Sequence, residues 1–194
     1  MISNTHYTNI LEKKYAITYF GDSFMSYSIN SIKYSWVDNS TKYLKKKYKE
    51  NINFYKNISV GITSRGILDK LPNFFSKIKK KDILIYQFGA NDSWHYISLK
   101  GSANVSLNSF KKNLAEILKK SKNYGFKKII FVGYHGVSKN RIEGNFKTIN
   151  QNLSKYNQLL KSFCKKNKLI YADVNIENKK IYNLKDGIHL NKNG

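Results

Sequence analysis

The stretch Tyr-Ala-Ile-Thr-Tyr-Phe-Gly-Asp-Ser, residues 15–23, joins a nearly continuous apolar run to a glycine and two polar residues. Such a run is typical of a parallel strand whose two faces are both covered. A glycine at its end lets the chain turn sharply, and a serine after the turn can project into a cleft. By itself, Gly21-Asp22-Ser23 is more typical of an ordinary turn or helix cap, so the stretch predicts first of all a buried strand and its end.

Apolar runs of the same kind recur along the chain and alternate with segments of helical period. We expect five strands, at residues 15–20, 53–59, 83–88, 128–132 and 169–174. This alternation is the signature of βαβ units, which right-handed crossovers wind into one sheet. The sequence therefore predicts an α/β fold, a three-layer α/β/α sandwich around a flavodoxin-like central five-stranded parallel sheet.

Apolar residues spaced three and four apart predict the helices between these strands. The three clearest stripes are Ile67, Leu71, Phe74 and Ile78; Phe110, Leu114, Ile117 and Leu118, ending near Gly125 as a C-cap; and Ile149, Leu153, Tyr156, Leu160 and Phe163. A less regular helix is expected around residues 36–48. We interpret the stripes as core packing rather than as a cofactor-binding motif.

The length and composition are those of one ordinary domain. At 194 residues, of which 41% are hydrophobic, the chain can bury a sizeable core, and no repeat or linker divides it. We therefore expect residues 1–194 to form a single domain. The one cysteine, Cys164, excludes an internal disulfide framework and a multi-cysteine zinc site.

The formal net charge of +23 comes almost wholly from lysine, since Arg65 and Arg141 are the only arginines among 35 basic residues. Nucleic-acid and phosphate sites rely on the guanidinium fork, whereas scattered lysine is mostly a solvated surface. We expect no specific nucleic acid partner and leave open peripheral contact with anionic surfaces. Residues 1–14 lack the apolar core of a secretory signal and no run reaches transmembrane length, so a soluble, cytoplasmic protein is expected.

Ligands of such sheets bind beyond the carboxyl ends of the strands, so the residues after each strand are the candidates for chemistry. The second strand is followed by Gly-Ile-Thr-Ser-Arg-Gly, residues 61–66, which nearly has the spacing of a phosphate-binding loop. The match fails because Ile67 and Leu68 stand where that loop needs lysine and serine or threonine. After the third strand comes Gly-Ala-Asn-Asp, residues 89–92, in which Asn91 alone is most simply a turn-stabilising side chain.

The segment Asp-Gly-Ile-His, residues 186–189, lies near the C-terminus. A carboxylate three residues before a histidine can hydrogen-bond its Nδ1, which leaves Nε2 free to act as a base. The pattern is also compatible with a fragment of a metal site. However, His6, His95 and His135 lack the spacing of further ligands, so we expect no metal and no other cofactor.

In their order, these segments resemble the motifs of the SGNH, or GDSL, hydrolases, a family named for the serine, glycine, asparagine and histidine of its motifs. The corresponding residues here are Ser23, Gly61, Asn91 and His189. Gly66 is an alternative to Gly61. We prefer Gly61, because Gly-Ile-Thr at residues 61–63, followed by Leu-Pro at residues 71–72, is similar to the family's second motif.

The resemblance extends over residues 15–194 and has two departures. Phe24 stands where the family name has leucine. The chain also stops five residues after His189, where family members continue into a closing C-terminal helix, so we expect part of that helix to be missing.

The resemblance implies a serine esterase or acylhydrolase that cleaves a carboxylic ester through an acyl-serine intermediate. Its substrate would be a small-molecule, lipid or glycan ester. The implied catalytic triad is Ser23, Asp186 and His189. The implied oxyanion hole consists of the backbone N–H groups of Ser23 and Gly61 and the side-chain amide of Asn91.

Further residues lie next to these positions in the sequence. The candidate pocket residues, which follow the third and fourth strands, are Trp94, His95, Tyr134 and His135. We interpret Asp22 and Asp92 as structural, because an aspartate beside the nucleophile cannot easily reach a distant imidazole.

Two other functions stay open at this stage. A carbohydrate O-acyltransferase would use the same triad with a sugar in place of water. A non-catalytic module would bind polyanions through its lysine-rich surface, although the complete set of triad and oxyanion residues argues against a decayed site. The sequence does not indicate the acyl group, the alcohol or the oligomeric state.

Overall fold

The computed structural model describes residues 15–29, 32–48, 51–94, 102–138, 146–174 and 186–191. Its strands are β1 (Tyr15–Gly21), β2 (Tyr27–Ile29), β3 (Ile32–Tyr34), β4 (Ile52–Ile58), β5 (Ile83–Gln87), β6 (Lys128–Val132) and β7 (Ile170–Ala172). Five of them form one sheet in the order β4-β1-β5-β6-β7, and every neighbouring pair is parallel. This is the flavodoxin-like order, so the predicted α/β fold is confirmed.

The helices between the strands begin and end at residues that the sequence marks. They are α1 (Trp36–Lys47), α2 (Ser64–Ser76), α3 (Ala90–Ser93), α4 (Leu107–Asn123) and α5 (Phe146–Lys166). Serine side chains cap α1 and α4, since the hydroxyls of Ser35 and Ser106 each accept a hydrogen bond from the backbone N–H of the residue three positions later. Gly125 follows α4 with a φ of +89°, the left-handed conformation of a C-cap glycine.

Helices pack on both faces of the sheet because alternate residues of β1 point to opposite sides. Phe20 belongs to a large core that includes residues of α2, α4 and α5. Ile17 and Tyr19 belong to a smaller core with Val37 of α1. Cys164 is fully buried in the larger core. None of the helices in the described part of the chain combines the length and the apolarity needed to cross a bilayer.

The structure differs from the sequence-based expectation in several details. The strand β4 begins at Ile52 and ends at Ile58, one residue earlier than expected at each end. The edge strand β7 is limited to Ile170–Ala172, the residues that pair with β6. An antiparallel hairpin, β2 with β3, lies between β1 and α1 and was not predicted, because strands of three residues are too short to show an alternating pattern.

The strand β1 ends in a close approach to β5 that only glycine permits. A Cβ atom on Gly21 would lie 2.1 Å from the carbonyl oxygen of Gln87, and the same oxygen accepts a hydrogen bond of 3.0 Å from the backbone N–H of Asp22. On the other side, Ser59 N donates to Gly21 O at 3.0 Å. The carboxyl ends of β4, β1 and β5 therefore meet at Gly21, two residues before Ser23.

Candidate active site

Ser23 lies in the tight turn that leaves β1. The side chain of Asp22 accepts a hydrogen bond of 2.9 Å from the backbone N–H of Phe24, and Met25 N donates to Asp22 O at 3.1 Å. An aspartate that bonds the backbone two residues later stabilises a turn locally. Ser23 is thereby held at the carboxyl edge of the sheet, with 6% of its surface exposed.

The segment that carries His189 is folded around the carboxylate of Asp186. One carboxylate oxygen accepts from the backbone N–H groups of Ile188 (2.8 Å) and His189 (3.0 Å), and the other lies 2.7 Å from His189 Nδ1. Partial burial favours the neutral acid, but these hydrogen bonds outweigh it and hold the pKa of Asp186 below its ordinary value. Gly187 O also accepts from Ser138 N at 2.8 Å, which attaches this segment to the loop after β6.

The other imidazole nitrogen of His189 reaches the serine. His189 Nε2 lies 2.9 Å from Ser23 Oγ, and both side chains are buried. Because Nδ1 faces a carboxylate, its natural role is to donate, which leaves Nε2 as the acceptor for the hydroxyl proton. The three side chains thus form a continuous Asp186–His189–Ser23 hydrogen-bonded chain, the arrangement that activates a serine for nucleophilic attack.

Asn91 lies beside this chain, in the short helix α3. Its amide nitrogen is 3.2 Å from the Asp22 carboxylate and 3.2 Å from Ile62 O. Gly89, which precedes the helix with a φ of +123°, provides the turn that brings Asn91 to the end of β1. Asn91 is therefore in contact with Asp22, the residue that directly precedes Ser23 in the chain. Both amide hydrogens of Asn91 are directed at protein oxygens.

Gly61 lies in the turn after β4, at the same edge of the sheet. Its φ is +74°, and Ile62 N closes the turn on Ser59 O at 3.3 Å. The residue is exposed, and a Cβ atom placed on it would meet no other atom within 4 Å. The alternative, Gly66, lies inside α2, where a Cβ atom would be 2.8 Å from the Ile62 side chain. An exposed backbone favours Gly61 as the candidate oxyanion donor, and its role stays a prediction.

Two buried carboxylates brace the site without contacting His189 in the described residues. Asp92 accepts two hydrogen bonds from the backbone N–H of Ser64, at 2.9 and 3.1 Å, and another from its hydroxyl. Burial raises the pKa of Asp92 to about 6, against the opposing effect of the Ser64 bonds. Burial likewise raises the pKa of Asp22 to about 7, although Phe24 N bonds to the charged form.

The candidate pocket residues have different environments. Tyr134 and His135 are both buried, and the hydroxyl of Tyr134 has no hydrogen-bond partner among the described residues. Trp94 is half-buried and packs against the large core. His95 lies outside the described residues.

Two aromatic residues that we did not propose as site residues lie close to the His189 ring. The Phe24 ring centroid lies 4.7 Å from that of His135 and 6.0 Å from that of His189. Tyr27 stacks directly on His189, with centroids 3.6 Å apart. Phe24 could have been proposed from its position beside Ser23, whereas no spacing in the sequence links Tyr27 to His189.

No group of three or more histidine, cysteine, aspartate or glutamate side chains able to hold a metal ion is present among the residues that the structure describes.

Comparison with known proteins gives both a family and a fold. The model of the GDSL-like lipase/acylhydrolase family matches residues 17–194. No curated protein is detectably similar to the chain in sequence.

Several solved structures share the fold at low sequence identity. A variant of an acetyl xylan esterase from Geobacillus stearothermophilus is 15% identical with a TM-score of 0.70, over 92% of this chain and 88% of that one. A lipase/acylhydrolase from Enterococcus faecalis is 17% identical with a TM-score of 0.70, over 90% and 86% of the two chains. Catalytic mutants of the Geobacillus esterase, one in which a serine and one in which a histidine is replaced by alanine, are also similar.

The environment of Asp92 predicts a specific dependence of stability on pH. Its pKa in the folded protein, about 6, is above the ordinary value of 3.8, so the folded state keeps a proton that the unfolded state has lost. The stability from this group is fully present below about pH 4 and is lost as the pH rises through 6. In Asp92→Asn this loss is removed, so the variant should gain on the order of 2–3 kcal/mol relative to wild type between pH 4 and pH 7.

Urea unfolding at several pH values measures this difference. The exposed carboxyl of Asp69, on α2, provides the matched control, and Asp69→Asn should follow the wild-type pH dependence. If the curves of Asp92→Asn and wild type run parallel between pH 4 and 7, Asp92 does not titrate in that range.

Proposed function

The chain belongs to the GDSL-like lipase/acylhydrolase family of ester hydrolases, and from that premise we propose that it cleaves a carboxylic ester through an acyl-serine intermediate on Ser23. The observation that carries this proposal is the hydrogen-bonded chain from Asp186 through His189 to Ser23. A serine hydroxyl is a weak nucleophile unless a base takes its proton, and His189 Nε2 is 2.9 Å from Ser23 Oγ.

The reaction follows from these positions. His189 takes the hydroxyl proton as Ser23 Oγ bonds to the ester carbonyl carbon, and Asp186 stabilises the resulting imidazolium. The tetrahedral intermediate then collapses, and the alcohol leaves with the proton from His189. Water repeats the sequence on the acyl-serine, which releases the acid and restores Ser23.

Stabilisation of the tetrahedral oxyanion requires donors near Ser23. We assign this role to the backbone N–H groups of Ser23 and Gly61 and to the side chain of Asn91, each worth about 3 kcal/mol of barrier by analogy with other oxyanion holes. An amide nitrogen has two hydrogens, and those of Asn91 face Asp22 and Ile62 O at 3.2 Å. In the reaction, the oxyanion would replace one of these two acceptors of the Asn91 amide. Ile62 O would be displaced more easily than Asp22, because it is a neutral carbonyl oxygen.

The substrate that we propose is the acetyl ester of a carbohydrate. Two observations support a small acyl group. Ser23 and His189 are only 6% and 9% exposed, and we take this burial to favour a short acyl group over a long one. The acetyl xylan esterase with the same fold acts, by its name, on an acetylated polysaccharide.

Replacement of the nucleophile tests the mechanism. Ser23→Ala should lower the rate of nitrophenyl acetate hydrolysis by at least about a thousandfold, because it removes the hydroxyl that is hydrogen-bonded to His189 Nε2. The exposed serine of α2, Ser76, gives the matched control, and Ser76→Ala should keep the wild-type rate. Equal rates for wild type and Ser23→Ala would exclude Ser23 as the nucleophile.

The oxyanion role of Asn91 predicts a loss of turnover rather than of binding. Asn91→Ala should lower kcat by about a hundredfold or more with little change in KM. The exposed Asn73 on α2 supplies the control, Asn73→Ala, with unchanged kcat. Thermal unfolding of both variants shows whether loss of the contacts to Asp22 and Ile62 destabilises the fold. A stably folded Asn91→Ala enzyme with the wild-type kcat would exclude Asn91 from the oxyanion hole.

Acyl-chain length tests the substrate class. We expect kcat/KM for nitrophenyl acetate to exceed that for the octanoate by at least about tenfold, and acetylated xylooligosaccharides to release acetate. A preference for octanoate would redirect the assignment to lipid esters. Addition of an unacetylated sugar provides the test for transfer, since acetylated product in excess of free acetate would identify an acyltransferase.

A further inference from the structure

The aromatic ring of Tyr27 lies flat against the imidazole of His189. The two centroids are 3.6 Å apart and the planes are inclined by 1°, so the rings are parallel and lie largely over one another. Tyr27 is the first residue of β2, and its strand partner is Tyr34 of β3. The hairpin that follows the nucleophile turn therefore supplies one face of the histidine's surroundings.

This contact uses the part of the imidazole that the triad leaves unused. Hydrogen bonds to an imidazole lie in the plane of its ring, and those of His189 run to Asp186 and Ser23. Tyr27 covers a face and so competes for neither nitrogen. Within the described part of the chain, the Tyr27 hydroxyl makes no hydrogen bond, so the ring itself provides the contact.

The geometry of the stack favours a charged imidazole over a neutral one. Two neutral aromatic rings avoid full face-to-face overlap because their negative faces repel, and they prefer offset or edge-to-face arrangements. A cation over an aromatic face is attracted by the same charge distribution. A parallel pair whose centroids are only 3.6 Å apart is thus more favourable for the imidazolium of His189 than for its neutral form.

We propose that Tyr27 is a positioning residue for His189, which fixes the plane of the imidazole and stabilises its protonated form through the aromatic face. This role rests on the proposed function, in which His189 is the base. The imidazolium forms only as Ser23 attacks, so an interaction that strengthens with this charge lowers the barrier instead of tightening the resting state.

The charged groups around His189 are compatible with this assignment. Asp186 faces Nδ1 and favours the imidazolium. His135 lies within electrostatic range and opposes a second positive charge, and burial lowers the pKa of His135, which keeps it neutral near pH 7. Phe24 is uncharged, and its ring is inclined by 57° to the imidazole. Among the residues that the structure describes, Tyr27 is the aromatic side chain stacked on His189.

The experiment compares aromatic and non-aromatic residues at position 27. Tyr27→Phe keeps the face, whereas Tyr27→Leu and Tyr27→Met remove it and provide two independent non-aromatic variants. The exposed tyrosine of α1, Tyr43, gives the matched control Tyr43→Leu. The first measurement is the imidazole titration of His189 by NMR, assigned with His189→Gln, which needs no enzymatic activity.

We expect the pKa of His189 to fall by about half a pH unit to one pH unit in the Leu and Met variants, and to stay near the wild-type value in Tyr27→Phe and Tyr43→Leu. Wild-type pKa values in both non-aromatic variants, with a folded spectrum, would overturn the proposal. So would a pKa in Tyr27→Phe that falls as far as in Tyr27→Leu.

The second measurement is the pH profile of kcat/KM on nitrophenyl acetate. In Tyr27→Leu the acid limb should move to lower pH while the plateau drops about threefold to tenfold, a combination that loss of folded enzyme does not produce. An unmoved acid limb would contradict the role of Tyr27. If wild type hydrolyses no ester but the NMR shift is found, the proposed function fails and the stack on His189 stands.

Discussion

The backbone carbonyl and side chain of Gln87 hold together the edge of the sheet on which the site is built. The carbonyl accepts from Asp22 N, at a distance that excludes any Cβ on Gly21. The side-chain amide donates to Gly133 O at 2.7 Å, and its oxygen accepts from the Trp36 indole at 2.8 Å. One buried residue thus connects the ends of β1, β5 and β6 with α1. Because buried polar groups are costly when unpaired, this set of bonds fixes the strand ends relative to one another.

Polar groups continue this bracing behind the serine. Asn91 connects α3 to Asp22 and to the carbonyl of Ile62, so the turns after β1, β4 and β5 share one hydrogen-bond network. Asp22 and Asp92 carry raised pKa values for the same reason, because their carboxylates are buried to reach backbone donors. Burial of these two carboxyl groups lowers the free energy of unfolding near neutral pH. In exchange, their hydrogen bonds hold the turns at the strand ends so that the side chains of the site point to one place.

The sheet and its strand order could be predicted from local signals in the sequence, whereas the meeting of Ser23, Asp186 and His189 was predicted from the family resemblance of the motifs. Apolar runs locate strands, and parallel strands bring the residues after them to one edge. The hairpin of β2 and β3 could not be predicted, because its strands are three residues long. The stack of Tyr27 on His189 was also missed, since a contact between residues so distant in the chain leaves no periodic signal. The hydrogen-bond partners of Asn91 were missed as well, because the motif identifies Asn91 as a site residue but does not show where its side-chain amide points.

The neighbours of His189 contact its ring in two ways, through hydrogen bonds in the ring plane and through stacking on a ring face. Asp186 and Ser23 occupy the edge of the ring and determine which nitrogen carries the proton, whereas Tyr27 covers a face and responds to charge. Loss of an edge partner disturbs the tautomer and the path of the proton, and loss of the face alters the energy of the imidazolium while that path remains. The hydrogen bond from Ser138 to Gly187 adds a mechanical support, since it holds the turn that carries both Asp186 and His189. In the mechanism that we propose, a base that changes charge in every turnover is thus oriented by hydrogen bonds and stabilised, when charged, by a ring that takes no part in proton transfer.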